Sequence, residues 1–322
     1  MKNLTLFLFL IIIISCGENT AKIDEKKEDS LFNGFYERIG TIQYVKGVAV
    51  DTVYYKDLED SPRQVKAYFK GITSWLSNNP IPKQALETGI KMPWQSGQGS
   101  YGTYEYTPSE DESEMIETAL SSIGNGLLWV RGSMRDTLLK SGKFTWPPFY
   151  SSFSGNFYNQ RWKAQDSAST TYSELYSKMK ESEETDLDGV WKRIANVRYI
   201  NDVPVDTIAV PEGLDDYKLY IKGNVIVNVD PKNAKQGDPF WGGAGLLGKF
   251  SYIDGILTEN FDMSTGNWEY PGGKWPDFVA DIDWIDDDTF IQINRYIGNP
   301  DGEGGMIDAK KEKNGLLHIR IK

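Results

Sequence analysis

The sequence predicts an all-β protein made of two tandem antiparallel up-and-down β-barrels of about eight strands each. Three observations carry this reading: apolar residues recur with a period of two, short turn signals separate consecutive apolar runs, and the chain is internally duplicated.

In the second half, Tyr217, Leu219 and Ile221 alternate with Lys218, Tyr220 and Lys222, as in a half-buried strand. Residues 224–230 continue with β-branched side chains, and Gly223 between the two runs supplies the positive φ of a tight turn. Asp254–Gly255 joins two further runs, residues 246–253 and 256–263, as a two-residue hairpin signal. Residues 278–285 and 289–296 flank a polar tip at Asp286, Asp287 and Asp288, and residues 316–321 close the chain. With residues 190–199 and 203–209 this makes about eight consecutive strands without helical crossovers. In the first half the aromatic segment 141–161 reads as loop-rich.

The duplication is read by laying the two halves side by side. Gly34-Phe-Tyr-Glu-Arg-Ile39 answers Gly189-Val-Trp-Lys-Arg-Ile194, and Val50-Asp51-Thr52 answers Val205-Asp206-Thr207. Lys70–Gly71 answers Lys222–Gly223, Gly102 answers Gly248, and Glu117 answers Glu259. The order is kept and the offsets drift only at turns. A charged stretch, residues 178–188, marks the junction. The expected organisation is a signal segment at 1–16, a flexible tether at 17–30, a first barrel at 31–180, a linker at 181–186 and a second barrel at 187–322. Consecutive antiparallel strands leave exposed edges, and closure into a barrel removes them. Eight strands enclose a space filled by side chains or by one small ligand.

The N-terminus carries a different signal. Residues 4–14 are apolar except for Thr5, about half of the roughly 20 residues that a spanning helix needs. The run ends at Ile13-Ile14-Ser15-Cys16-Gly17, which resembles the lipobox of bacterial lipoproteins. Cys16 is the single cysteine of the chain, so an intramolecular disulfide is excluded and acylation is its expected role. The net charge of −11 argues against nucleic acid and against electrostatic adhesion to anionic lipid. The expected location is the bacterial cell envelope, on the outer membrane, with the folded body in the periplasm or at the cell surface and the membrane reached through the N-terminal lipid only.

The motif that opens each copy, Gly34 with Tyr36 and Gly189 with Trp191, resembles the Gly-x-Trp signature of the lipocalin superfamily's first strand. The whole chain is similar to the lipocalin-like domains of secreted and lipid-anchored Bacteroidetes proteins, present as a tandem duplication; Tyr36 departs from the pattern. The resemblance implies an aromatic plug at the closed barrel end, with Arg38 or Arg193 near it, and a small apolar molecule bound inside.

Chemistry-bearing patterns are sparse. His318 is the single histidine, so no imidazole cluster for zinc forms, and its expected place is an ordinary surface or interface position on a strand. The glycine-rich stretches 97–102 and 242–248 lack the Gly-Lys-Ser/Thr end of a phosphate loop. No cofactor is predicted. Asp286, Asp288 and Asp301 are the one candidate set for Ca²⁺, beside the alternative of a solvated acidic surface. Glu117 and Glu259 are each a candidate polar anchor in a cavity, or an acid/base in a carboxylate-based hydrolase, which would need a second carboxylate at a defined separation. Aromatic residues are abundant, with 10 Trp and 18 Tyr, and Trp75, Trp94, Trp241 and Trp275 stand beside turns as candidate pocket or rim residues. The expected function is non-catalytic binding of a small apolar or carbohydrate-like ligand in a barrel cavity. The alternative is a structural or protein–protein interaction module of the envelope, which predicts barrels filled by their own side chains.

Overall fold

The computed structural model describes residues 32–57, 63–78, 97–109, 112–123, 132–233, 243–266, 276–298, 306–308 and 312–322. The first copy contains β1 (Gly34–Val45), β2 (Val48–Tyr54), β3 (Arg63–Phe69), β4 (Ile72–Asn78), β5 (Gln98–Thr107) and β6 (Ser113–Ile123). A helix α1 (Gly132–Ser141) follows, then β7 (Phe144–Thr145), β8 (Phe149–Ser154), β9 (Phe157–Trp162) and β10 (Thr170–Lys178). The second copy runs through β11 (Gly189–Ile200), β12 (Val203–Ala209), β13 (Leu214–Ile221), β14 (Asn224–Pro231), β15 (Ala244–Ile253) and β16 (Ile256–Gly266). It ends with β17 (Phe278–Asp286), β18 (Thr289–Asn294), the small pair β19 (Tyr296–Gly298) and β20 (Met306–Asp308), and β21 (Glu312–Ile321).

All strand pairs are antiparallel, and each copy closes on itself. In the first, the order β10-β9-β8-β6-β5-β4-β3-β1 is closed by β1 pairing with β10; in the second, β11-β13-β14-β15-β16-β17-β18-β21 is closed by β11 pairing with β21. Each ring thus has eight strands. The hairpins that set the register are two-residue turns with both central residues at positive φ: Lys70–Gly71 (47° and 83°), Lys222–Gly223 (44° and 80°) and Asp254–Gly255 (51° and 79°).

The first strand of each copy has two neighbours on one side. β3 pairs with β1 only over Gly34–Glu37, and β2 takes over from Gly40 to Val45. β12 does the same beside β11. Strands β2 and β12 therefore stand at the ends of their sheets, as lips of the barrel wall.

Two features depart from the sequence expectation. The segment 141–161 is mostly strand: its aromatic residues follow the pleat, with Phe149 and Tyr158 fully buried inside the barrel. Helix α1 interrupts the meander between β6 and β7; Leu138 is buried there while Leu139 is exposed, too thin a stripe to stand out as a helical period.

The barrels pack side by side through the same wall of each. Outward residues of the first (Phe35, Ala67, Leu76, Tyr101, Ile123) and of the second (Val190, Leu219, Ile226, Leu247, Met263) form one apolar cluster. Phe35 answers Val190, Ala67 answers Leu219 and Tyr101 answers Leu247, so the contact is close to isologous, as in a two-fold dimer. Tyr101 stacks on Tyr217 with ring centroids 3.9 Å apart. Around the cluster, the Ser122 backbone N–H donates to Asp230 at 2.9 Å, and Arg63 pairs with Asp262 at 2.9 Å.

Candidate functional site

The pleat of β3 turns Lys66 and Tyr68 into the first lumen while Val65 and Ala67 face the other barrel. Lys66 Nζ donates to both Glu117 oxygens, at 3.0 and 3.1 Å, and to Gln160 Oε1 at 2.8 Å. Tyr68 OH donates to Glu117 Oε1 at 2.7 Å. The second lumen repeats this arrangement. Lys218 Nζ donates to Glu259 at 2.8 and 3.0 Å and to Gln292 Oε1 at 2.9 Å, and Tyr220 OH donates to Glu259 at 2.7 Å. All of these side chains are buried. Each ammonium spends its three protons inside the cluster, which compensates the desolvation of a buried ion pair. Burial beside the carboxylates pushes the Tyr68 and Tyr220 hydroxyls well above the ordinary phenol range, so both remain donors. The quartet is a clasp across the lumen, linking β3, β6 and β9 in one barrel and β13, β16 and β18 in the other.

Apolar side chains pack around each clasp, mostly rings in the first barrel and rings with aliphatic groups in the second. Phe32, Tyr36, Tyr104, Phe149, Tyr158 and Tyr176 surround the first clasp; Trp191, Phe250, Phe261, Ile282 and Phe290 surround the second. Registers equate Tyr158 with Phe290 and Tyr176 with His318. His318 is thus inside the barrel and fully buried, which corrects the expectation of a surface or interface position. It stacks on Phe290 with centroids 4.9 Å apart, and its Nδ1 lies 2.9 Å from the Leu316 carbonyl. Burial, reinforced by the Lys218 charge, holds its pKa well below the usual imidazole value, so the ring is neutral.

Trp75 stands opposite Lys66 in the β3–β4 register, on the same face of the sheet, and is buried against Phe144 and Trp146. Glu117 and Glu259 have their oxygens engaged by Lys and Tyr of their own barrels. Trp94, Trp241 and Trp275, like Cys16 and Asp301, lie outside the described residues. Gly34 and Gly189 open β1 and β11 as equivalent residues, opposite Tyr68 and Tyr220. Tyr36 packs edge-on to Tyr158, and Trp191 packs on Phe290 and donates from Nε1 to the Leu187 carbonyl at 2.8 Å. The guanidinium over the Trp191 ring, at 4.1 Å, belongs to Arg320. Arg38 pairs instead with Glu174 at 3.2 Å and Arg193 with Asp216 at 2.7 Å. Asp288 is paired to Arg320 and Lys322, and Asp286 accepts the Asp288 backbone N–H. Among the described residues no group of three or more His, Cys, Asp or Glu is arranged to hold a metal ion.

Two surface features complete the inventory. On β2 and β12, Val48, Val50, Val53, Val203, Val205 and Ile208 are all exposed, Val48 at 65% and Val203 at 59%. Among the described residues the outer edges of both strands pair with nothing. The second feature is a pocket of about 590 Å³ on the first barrel, walled by β8, β9 and β10 and by Tyr44 and the turn that follows β1. Sequence reasoning missed its residues because the repeat was followed only as far as Glu117 and Glu259; carrying it into β9 and β18 sets Asn159 and Arg161 beside Ile291 and Ile293.

No family model matches the chain, and no curated protein matches it. The architecture itself, two eight-stranded antiparallel barrels, is consistent with a generic lipocalin-like barrel and with a non-catalytic binding module.

Proposed function

We propose that the protein is a non-catalytic binding protein of the cell envelope, held to the membrane by acylated Cys16, and that it recognises an envelope protein through strands β2 and β12. The single observation that carries this reading is the matched pair of open edges. Val-x-Val-Asp-Thr-Val at 48–53 and Val-x-Val-Asp-Thr-Ile at 203–208 keep the same pattern on strands exposed at every position but Thr52, where core packing does not require it. An unpaired edge with β-branched side chains is a template for an added strand. Lumens occupied by their own side chains favour this over a ligand held inside a barrel.

The test is site-specific photocrosslinking in native membranes from Val50 and Val205, with the exposed Lys140 of α1 as control. The expected result is a discrete adduct from both edge positions that disappears when Val48→Lys and Val203→Lys are combined, at unchanged Tm. Crosslinking no different from the Lys140 control would overturn the proposal.

A further inference from the structure

The wall that carries the pocket on the first barrel differs in its side chains from the equivalent wall of the second among the described residues. Registers equate Asn159 with Ile291, Arg161 with Ile293, Ser173 with Gly315 and Tyr44 with Tyr199. In the second barrel these residues close the wall: a Cβ on Gly315 would lie 2.7 Å from Ile291 Cγ2 and 2.8 Å from Tyr199 Cε2. The isoleucine and tyrosine have settled onto the glycine. In the first barrel the same wall is polar and open.

The open wall is also held in shape. Arg161 donates to Asp166 and to Glu112, each at 2.6 Å, and Tyr150 OH donates to Asp166 at 3.0 Å. The connection before β10 is fastened by Gln165, which accepts the Tyr172 N–H at 2.6 Å and donates to its carbonyl at 3.2 Å. Inside this frame several groups have capacity to spare. Asn159 Oδ1 and Ser151 Oγ are buried atoms without a hydrogen-bond partner among the described residues. Asn159 Nδ2 and Ser173 Oγ reach Tyr44 OH only at 3.5 Å, the limit of a hydrogen bond.

We propose that this pocket binds a neutral polyhydroxyl ligand of the carbohydrate class, and that the second barrel is a closed copy of the site. The volume lies within the roughly 300–1,000 Å³ of small-molecule sites. The lining charges cancel, Lys46 and Arg161 against Glu112 and Asp166, so neither an anion nor a cation is favoured. Amide, hydroxyl and phenol groups offer donors and acceptors together, which hydroxyl groups satisfy and an apolar ligand leaves stranded. This site lies on the β10 side of β1 and meets β2 only at the Lys46–Gly47 turn, so binding here and strand addition at the edges are read separately, and either proposal stands if the other fails.

The experiment is isothermal titration and saturation-transfer NMR on the full chain in detergent. The probes are methyl glucoside, methyl galactoside, N-acetylglucosamine, maltose and cellobiose at millimolar concentration, with glucuronate and inorganic phosphate as anionic counterparts. At least one neutral sugar is expected to bind. Asn159→Ile with Arg161→Ile, which installs the second barrel's wall, is expected to weaken that binding by about tenfold or more through lost hydrogen bonds. Ser173→Gly and Asn159→Ile alone, with Tm measured, guard against a double variant that fails to fold. The proposal is overturned if no neutral sugar binds, if glucuronate or phosphate binds better than the neutral sugars, or if well-folded wall variants bind as tightly as the native chain.

Discussion

In the first barrel Asn159, Arg161 and Ser173 line an open pocket, whereas the matching positions of the second are Ile291, Ile293 and Gly315, with Ile291 and Tyr199 seated close over the glycine. A few ångströms deeper the two copies agree group for group: Lys66, Tyr68, Glu117 and Gln160 have their counterparts in Lys218, Tyr220, Glu259 and Gln292, with hydrogen bonds of nearly the same lengths. The difference separates what the barrel needs from what it tolerates. A buried ammonium and carboxylate are costly singly, so each partner constrains the other, and both copies keep the set. The outer wall answers to packing alone and is filled in one copy and left open in the other.

The largest expected effect comes from breaking the shared clasp. Glu117→Leu or Glu259→Leu leaves a lysine buried without its counter-ion, and each is expected to destabilise its barrel by about 3–5 kcal/mol. Urea denaturation followed by tryptophan fluorescence measures this. Lys66→Met with Glu117→Leu, or Lys218→Met with Glu259→Leu, removes both charges and is expected to restore most of the loss. A single variant that costs less than about 1 kcal/mol, the range of an exposed ion pair, would show that the clasp is not desolvated.

The clasp also shows where sequence reasoning reaches and where it stops. Alternation in 217–222 and the Asp254–Gly255 turn foretell strands because pleat and turn chemistry are local. The Glu117–Glu259 match was visible, but its partners were not: Lys66 and Gln160 come from strands far apart in the chain and meet only after closure. Lys66 and Lys218 read as the polar, outward half of an alternating strand. In the folded protein that half faces the lumen, and the apolar half, Val65 and Ala67 or Leu219 and Ile221, faces the neighbouring barrel. Because both faces of this wall are buried, polarity did not reveal which was inside. His318 was misplaced for the same reason, since a polar residue in an alternating strand looks solvent-facing until the register puts it beside Phe290.

The interface between the barrels is the next place to press on the comparison. A Cβ on Gly245 would lie 2.5 Å from Ile123 Cδ1 and from Leu76 Cδ2, both contributed by the first barrel. Gly245→Val is therefore expected to overpack the contact, at a cost of about 1–3 kcal/mol. Adding Ile123→Ala opens room and is expected to recover part of that cost, although alone it is destabilising. Calorimetry of the single and double variants reads the coupling directly. Strictly additive effects would mean that the two side chains do not share this space.

The smallest effect separates the interiors by pH. The unfolded chain protonates His318 near the ordinary value of about 6.5, while the folded second barrel keeps it neutral to well below that. Its contribution to stability is therefore intact above about pH 6.5 and falls as the pH drops, by about 1.4 kcal/mol per unit while the unfolded chain alone takes up the proton. The first barrel has Tyr176 at this position, a group that does not titrate in that range. Lys218 and Arg193, the cations that oppose protonation of His318, are themselves paired to Glu259 and Asp216. Burial raises the Asp216 pKa, and that shift acts in the opposite sense: its contribution is present at low pH and is lost as the pH rises. Stability of the native chain alone therefore mixes two slopes. His318→Phe separates them, because it removes the titrating ring and keeps a flat partner for Phe290. Losing the hydrogen bond to Leu316 shifts stability by the same amount at every pH. The difference between variant and native in urea melts is thus expected to be constant above pH 6.5 and to move in favour of the variant below it. A difference that stays constant down to pH 5 would mean that His318 takes up its proton inside the folded barrel as readily as outside.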